Sequence, residues 1–295
     1  MEFAETITVT HLICLAGLIL FARWLLKTSL GRKALADSVP RRNNMPIYLL
    51  LIPLFIWLVT VPLITLIIKT LIDDLQGWRG KLLDNLIYCA GELTVIGVII
   101  FLARAHFARR LKGFGLNVKT IIKDFLVAFV NLLTVWPLIL AAIILIIYLG
   151  KHIVGPEYQM QQHQQLKLIS ENTQLPLRIT IFVAAVVIAP FFEEMIFRGL
   201  FQTTIRSYFE ARFWSPTAQG IGHEDRVTDR YGAWVAILIS SGLFAATHAD
   251  TGHLPALFVL GVCLGYAYEK SGSLFRPIFI HSLFNATSII ATLNQ

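Results

Sequence analysis

Charged residues are scarce in this chain of 295 residues. Asp, Glu, Lys and Arg together make up 15% of it, whereas soluble domains carry about 25%. Hydrophobic residues reach 56%, and the mean hydropathy is +0.68. Several apolar runs are long enough to cross a bilayer, which takes about 20 helical residues each. The composition excludes an ordinary soluble enzyme and predicts an all-α, polytopic transmembrane helical bundle.

Cysteine is also rare. The three cysteines, Cys14, Cys89 and Cys263, lie in separate apolar runs and form no Cys-x-x-Cys motif. A disulfide framework is therefore not expected. A thiol nucleophile is disfavoured too, because none of the three stands in a polar motif with a histidine.

Acidic residues are outnumbered by basic ones, and the formal net charge is +7. The basic residues cluster beside apolar runs, which is typical of cytoplasmic loops and of contacts with anionic lipid headgroups. Nucleic-acid binding is therefore not expected. The two main clusters are Arg23, Lys27, Arg32, Lys33, Arg41 and Arg42, then Arg104, Arg109, Arg110, Lys112, Lys119 and Lys123.

About eight spans follow from the apolar runs, and they put both termini on the outer side. Because Glu2 and Glu5 precede the first run where a signal peptide would be basic, this run is predicted to be a retained helix. The spans are predicted at 7–26, 47–68, 86–103, 125–149, 178–200, 233–247, 254–268 and 274–293.

Three regions are expected along the chain. Residues 1–150 form a four-helix membrane region, 151–177 a polar extramembrane segment and 178–295 a core of four spans. The glutamine-rich middle segment is predicted to be an amphipathic interfacial helix or a loop, with His152 and His163 in solvent. Residues 201–213 are predicted to form an amphipathic helix on the cytoplasmic surface.

The stretch 190–201, Pro-Phe-Phe-Glu-Glu-Met-Ile-Phe-Arg-Gly-Leu-Phe, places three charges at the end of an apolar run. Glu194 and Arg198 are four residues apart on one helix face, which predicts an ion pair. Glu193 and Arg198 are five apart, roughly 140° around the axis, so Glu193 is the less neutralised carboxylate. A carboxylate in apolar surroundings is a candidate general base or acid.

Two later motifs complete a constellation. The pattern Phe244-x-x-x-His248 ends one apolar run, and His281 and Asn285 are four apart within another, where both can point into one cavity. The order Glu-Glu-x-x-x-Arg, Phe-x-x-x-His and His-x-x-x-Asn resembles the CPBP family of intramembrane proteases. That family includes the CAAX prenyl endopeptidases of the Ras-converting type and bacterial relatives linked to bacteriocin handling. The resemblance covers residues 178–285.

This resemblance implies that residues 178–295 are the catalytic core of an intramembrane endopeptidase. Its substrates would be membrane-associated or lipidated, CAAX-like proteins, so the expected partners are the lipid bilayer and a membrane-associated peptide or protein. Carried over by motif, Glu193 and His248 would activate water without a metal cofactor. His281 and Asn285 would stabilise the oxyanion, and the ion pair on the first motif helix would hold the site's shape. The expected location is the bacterial plasma membrane.

Three alternatives stay open at this point. Glu193, His248 and His281 could bind one divalent metal such as zinc, with water in the fourth position, although the spacing is not His-Glu-x-x-His. The polar groups could instead specify helix packing in a non-catalytic bacteriocin-immunity or scaffold protein. Glu92, which lies inside the third run, could form a relay with Glu193 and the histidines in a proton-coupled transporter.

Overall fold

The computed structural model describes residues 2–38, 41, 43–72, 75–213, 225–248 and 251–294. Regular structure in these ranges is helical, apart from an isolated antiparallel bridge between Asn43 and Phe107. The predicted all-α class is confirmed. The principal helices are α1 (Glu2–Lys27), α2 (Ile47–Leu71), α3 (Gly77–His106), α4 (Ile121–Ile153), α5 (Gln164–Glu171), α6 (175–213), α7 (Asp225–Ala246), α8 (Leu254–Ser271) and α9 (Phe275–Leu293).

Within the described ranges, five helices are long and apolar enough to cross a membrane, namely α1, α2, α3, α4 and α6. A shorter apolar stretch, Tyr231–Ala246, lies in α7. Large apolar side chains such as Phe101 and Ile122 are 71% and 78% exposed on these helices, as lipid contact requires. The helices support an integral, multi-pass membrane protein, and the count of eight spans stays a prediction.

Helix α4 lies at the centre of the bundle and packs against α1, α8 and α9. The main core cluster runs from Ile99 on α3 through Leu132 and Ile139 on α4 to Phe192 on α6 and Leu264 on α8. Since lipid tails are as apolar as these side chains, close van der Waals packing holds the helices together. The motif-bearing helices are therefore fixed against a rigid centre.

A tight connection sets α9 beside α8. Gly272 ends α8 with a φ of +69°, and its N–H donates to the carbonyl of Tyr268 at 3.0 Å. Glycine suits this left-handed cap because it has no Cβ. The N–H of Leu274 then donates to the carbonyl of Gly115 at 2.9 Å, which anchors the start of α9. These two hydrogen bonds set the depth of α9, the helix that carries the last motif.

The polar segment 154–174 contains both a loop and an amphipathic helix, the two structures that the sequence left open. Residues 158–163 are irregular, and α5 follows as a short amphipathic helix. Ile169 of α5 packs with Leu177 and Ile289, so α5 is docked on the bundle. His152 is exposed as predicted, but the prediction for His163 was wrong because this side chain is half-buried.

The prediction of a separate surface helix at 201–213 was also wrong. These residues continue α6 without a break. Gln202, Thr203, Thr204 and Arg206 are all buried. The pattern of mixed apolar and charged residues is typical of a surface helix, but here Arg206 faces α8, where Glu269 supplies a carboxylate partner.

Candidate active site

The first motif lies on a helix whose turns are widened on both sides of a proline. Residues Ala184–Ile188 and Met195–Gln202 of α6 form π-helical turns, and Pro190 lies between them. Proline has no N–H and cannot bond to the carbonyl four residues earlier, so a regular α-helix cannot pass through it undisturbed. Wide turns of this kind free backbone carbonyls and are frequent at functional sites.

The predicted ion pair is confirmed. Glu194 and Arg198 are both fully buried, and Arg198 Nη1 donates to Glu194 Oε1 at 2.9 Å. Arg198 Nη2 donates to the carbonyl of Gly261 at 3.2 Å, and the guanidinium carbon lies 4.5 Å from the Phe244 ring centroid. A buried charge needs this degree of compensation, because an unpaired one would cost several kcal/mol.

His281 connects the two adjacent glutamates. Its Nδ1 lies 3.0 Å from Glu194 Oε1, and its Nε2 lies 3.9 Å from Glu193 Oε2. An ionised carboxylate can only accept hydrogen bonds, so Nδ1 carries the proton and donates to Glu194. The second ring nitrogen therefore faces Glu193, and it is a donor only when the imidazole is protonated.

Glu193 is the less neutralised carboxylate, as the helix geometry predicts. Its side chain is 18% exposed, and Oε2 has no hydrogen-bond partner among the described residues. The gap of 3.9 Å to His281 is too long for a hydrogen bond. Glu92 on α3 interacts electrostatically with it. An unpaired carboxylate beside a histidine is suited to accepting a proton from water.

His248 lies just beyond the end of α7. Its Nδ1 is 2.9 Å from the carbonyl of Phe244, so Nδ1 carries the proton and Nε2 the lone pair. The Phe244 ring lies 5.0 Å from the His248 ring and 5.5 Å from the His281 ring, measured between centroids. The structure thus brings His281, Glu193 and the ion pair together, and the Phe244 ring contacts both His281 and His248.

Asn285 is tied to the first wide turn of α6. Its Nδ2 donates to the carbonyl of Ala185 at 2.7 Å. A carboxamide has two N–H groups, so one remains for a second acceptor. Asn285 therefore holds α9 against α6 and still has a donor to offer.

The three proposed zinc ligands do not fit a single metal in this arrangement. Zinc bonds of about 2.0–2.2 Å require donor atoms roughly 3–4 Å apart around one point. Across the described ranges, no group of three His, Cys, Asp or Glu side chains is arranged to hold a metal ion.

A polar ladder beside the site was not predicted from the sequence. Arg198, Gln202 and Arg206 follow one another at intervals of four residues on α6, and their partners do the same on α8. Gln202 Nε2 donates to the carbonyl of Gly265 at 3.0 Å, and Arg206 pairs with Glu269. The four-residue spacing of Arg198, Gln202 and Arg206 is the sequence signal that these residues share one helix face. The ladder comprises Arg198 with Gly261, Gln202 with Gly265, and Arg206 with Glu269.

The loop after α1 closes the end of this ladder. Arg206 also donates to Ser38 Oγ at 3.1 Å. Arg41 donates to the carbonyl of Tyr268 at 2.9 Å and lies 3.5 Å from the centroid of that ring. Burial lowers the pKa of the Arg41 guanidinium, and the neighbouring Tyr268 partly opposes the shift. The loop covers the polar groups that would otherwise meet lipid headgroups.

Comparison with known proteins agrees with the resemblance read from the motifs. Residues 175–287 match the family described as "Type II CAAX prenyl endopeptidase Rce1-like", a segment that holds all six candidate residues. The resemblance to the CAAX prenyl endopeptidases is therefore confirmed over that part of the chain. No solved structure matches.

Two curated proteins are similar over slightly less than half of this chain. An "Uncharacterized 24.3 kDa protein" of Escherichia coli is 24% identical over 139 residues, which cover 46% of this chain and 55% of that protein. A Bacillus subtilis (strain 168) protein named "Putative membrane peptidase YdiL" is 26% identical over 129 residues, 42% of this chain and 44% of that protein. The chain thus spans about half the length of these relatives.

Proposed function

We propose that this chain, whose residues 175–287 match the Rce1-like family, is an intramembrane endopeptidase that activates water with Glu193. The observation that carries the proposal is the linkage Glu194–His281–Glu193, in which a buried ion pair orients the histidine toward an unpaired carboxylate. Unlike Glu194, Glu193 forms no ion pair with an arginine among the described residues, which leaves it available for chemistry.

In the first step, Glu193 takes a proton from a water molecule as the water oxygen bonds to the scissile carbonyl carbon. Its unpaired oxygen favours this role, because a carboxylate already bonded to an arginine would be a weaker base. We propose that His248, whose Nε2 holds a lone pair, supports the same step.

The carbonyl oxygen becomes an oxyanion as the carbon becomes tetrahedral. A protonated His281 would donate from Nε2, and Asn285 would donate with the N–H that Ala185 does not use. Glu194 accepts the hydrogen bond from Nδ1, so Nε2 faces Glu193. The ion pair with Arg198 thereby acts on the reaction by fixing the orientation of His281.

The tetrahedral intermediate collapses with cleavage of the C–N bond. The proton held by Glu193 passes to the leaving nitrogen, which departs as an amine, and the carbonyl carbon becomes a carboxylic acid. Glu193 is ionised again at the end of the cycle. Proton and electron counts balance without a redox partner or a metal ion, and we propose that the enzyme is metal-free.

The substrates are proposed to be membrane-associated or lipidated proteins, because the site lies among helices that are exposed to lipid. A peptide bond must reach Glu193 within the bundle, which favours flexible segments at the membrane surface over folded soluble domains. The proposed location is the bacterial plasma membrane.

The test is cleavage of a quenched fluorescent peptide library, half of it prenylated, by detergent-purified wild type and by Glu193→Gln. Each protein is assayed with and without a chelator. Cleavage by wild type alone, unaffected by the chelator, is expected.

Loss of wild-type activity with the chelator would replace the glutamate mechanism with a metal-dependent one. Equal cleavage by Glu193→Gln would remove Glu193 from the chemistry. A well-folded wild type that cleaves no peptide would favour the non-catalytic scaffold.

A further inference from the structure

A short segment outside the matched family region reaches the candidate site. Residues 158–163, here called the strap, connect the end of α4 to α5 and pass over the outer end of α7. The His163 ring lies 6.2 Å from the His248 ring, centroid to centroid. His253 Nε2 lies 2.8 Å from the carbonyl of Gln161. The strap therefore contacts the chain on both sides of the turn that follows α7.

The strap is held firmly at each end. The Tyr158 ring packs directly on Gly150 of α4, where no Cβ would fit. At the other end His163 is the N-cap of α5, and its Nδ1 accepts the N–H of Gln165 at 3.4 Å. Helix α5 is in turn docked through the buried side chain of Ile169. The position of the His163 ring is thus fixed by packing, as a residue that orients another must be.

His248 needs such support. It lies just beyond the end of α7, and a side-chain hydrogen bond to the carbonyl of Phe244 sets its ring orientation. The Phe244 ring covers one side of the imidazole at 5.0 Å. If it were held on that side only, the His248 imidazole could rotate away from the Phe244 carbonyl. Its two ring nitrogens could then exchange their roles as donor and acceptor. His163 is the aromatic neighbour on the strap side.

We propose that His163 is a positioning residue for His248, and this inference rests on the proposed peptidase function. Its ring confines the His248 imidazole between the strap and Phe244, so that Nδ1 keeps its bond to the carbonyl and Nε2 presents its lone pair to the site. His163 lies outside residues 175–287. The strap is accordingly a part of the site that this chain adds to the matched region.

The test separates positioning from helix capping. His163→Asn keeps the cap, because an asparagine oxygen accepts from the same backbone N–H, but it removes the ring. His163→Ala removes both. His152→Gln is the matched control, since His152 is an exposed histidine at the end of α4 that contacts Tyr148.

The expected result is a fall of roughly tenfold or more in kcat for His163→Asn, with KM and the thermal midpoint unchanged, because a slightly misplaced catalytic group is costly. His163→Ala should lose thermal stability as well, and His152→Gln should match wild type. Wild-type kcat in His163→Asn would overturn the inference and leave His163 as a cap.

A second measurement does not depend on activity. In ¹⁵N-histidine-labelled protein in lipid bilayers, the His248 nitrogens should report one tautomer in wild type and a mixture in His163→Asn, with His248→Gln identifying the signals. Unchanged His248 shifts would also overturn the inference. If wild type cleaves no peptide, the proposed function fails, while these shifts still decide whether His163 orients His248.

Discussion

Two adjacent glutamates in this protein have opposite surroundings. Glu194 Oε1 accepts from both Arg198 and His281 and is fully buried. Glu193, one residue earlier, is partly exposed and forms no ion pair with an arginine among the described residues. A single helical step of about 100° produces the difference. The same residue type thus serves stability at one position and is available for chemistry at the next.

This contrast predicts different outcomes for one isosteric change. Glu194→Gln leaves the Arg198 charge buried and unpaired, so the free energy of unfolding should fall by about 3–5 kcal/mol. Glu193→Gln breaks no ion pair with an arginine and should change stability by less than about 1 kcal/mol. Thermal unfolding of both variants in the same detergent measures the difference. Equal midpoints would contradict the assignment of Glu194 as the structural partner.

A second residue-scale prediction concerns Asn285. Asn285→Ala removes the donor to the Ala185 carbonyl, which should cost about 1 kcal/mol of stability. If its other N–H meets the oxyanion, kcat should fall about 100-fold while KM changes little. Steady-state kinetics on a cleaved peptide measure both constants. An unchanged kcat would assign Asn285 to helix packing only.

At the scale of elements, α6 and α8 are joined by the polar ladder. Each partner pair has the same sequence separation of 63 residues, because both helices advance by four residues at each contact. The small residues Gly261 and Gly265 permit this close approach. The ladder fixes the rotation of α6 about its axis, and hence the direction in which Glu193 points.

Adding one methyl group to the ladder tests its tightness. A Cβ on Gly265 would lie 2.8 Å from Gln202 Oε1 and 3.0 Å from Ile237 Cγ2. Gly265→Ala should therefore lower the free energy of unfolding by about 1–3 kcal/mol. Gly242→Ala on the neighbouring α7 is the matched control, because nothing lies within 4 Å of its added Cβ. Equal stability of the two variants would mean that α6 and α8 can separate without penalty.

At the scale of the whole molecule, the charge distribution predicts the orientation in the membrane. The loops after α1 and α3 are basic, so the positive-inside rule places them in the cytoplasm and the strap on the outer side. Lys33 and Glu157 are both exposed and lie in loops on opposite sides of this arrangement.

Labelling of single cysteines measures that orientation. In a background with Cys14, Cys89 and Cys263 replaced by alanine, Glu157→Cys should react with a membrane-impermeant maleimide added to intact cells. Lys33→Cys should react only after the cells are opened. The reverse pattern would invert the topology and place the strap in the cytoplasm.

Much of this molecule could be predicted before its structure. Apolar runs and charge clusters indicated the membrane helices, and the four-residue spacing of Glu194 and Arg198 indicated their ion pair. The prediction for 201–213 failed because a polar helix face looks the same whether water or a buried carboxylate lies opposite it. The prediction for His163 failed for a similar reason, since a polar loop gives no local sign of what it passes over.

The sequence by itself determined the all-α membrane class, the three motifs and the Glu194–Arg198 pair, because hydrophobicity and helix periodicity act over neighbouring residues. Only the tertiary structure decided that His281 meets both glutamates, that the Phe244 ring contacts both His281 and His248, and that the strap lies against the site. Those contacts join residues about 40 to 90 positions apart. Their geometry depends on the depth and rotation of each helix, which the packing of α4, α6, α8 and α9 sets together.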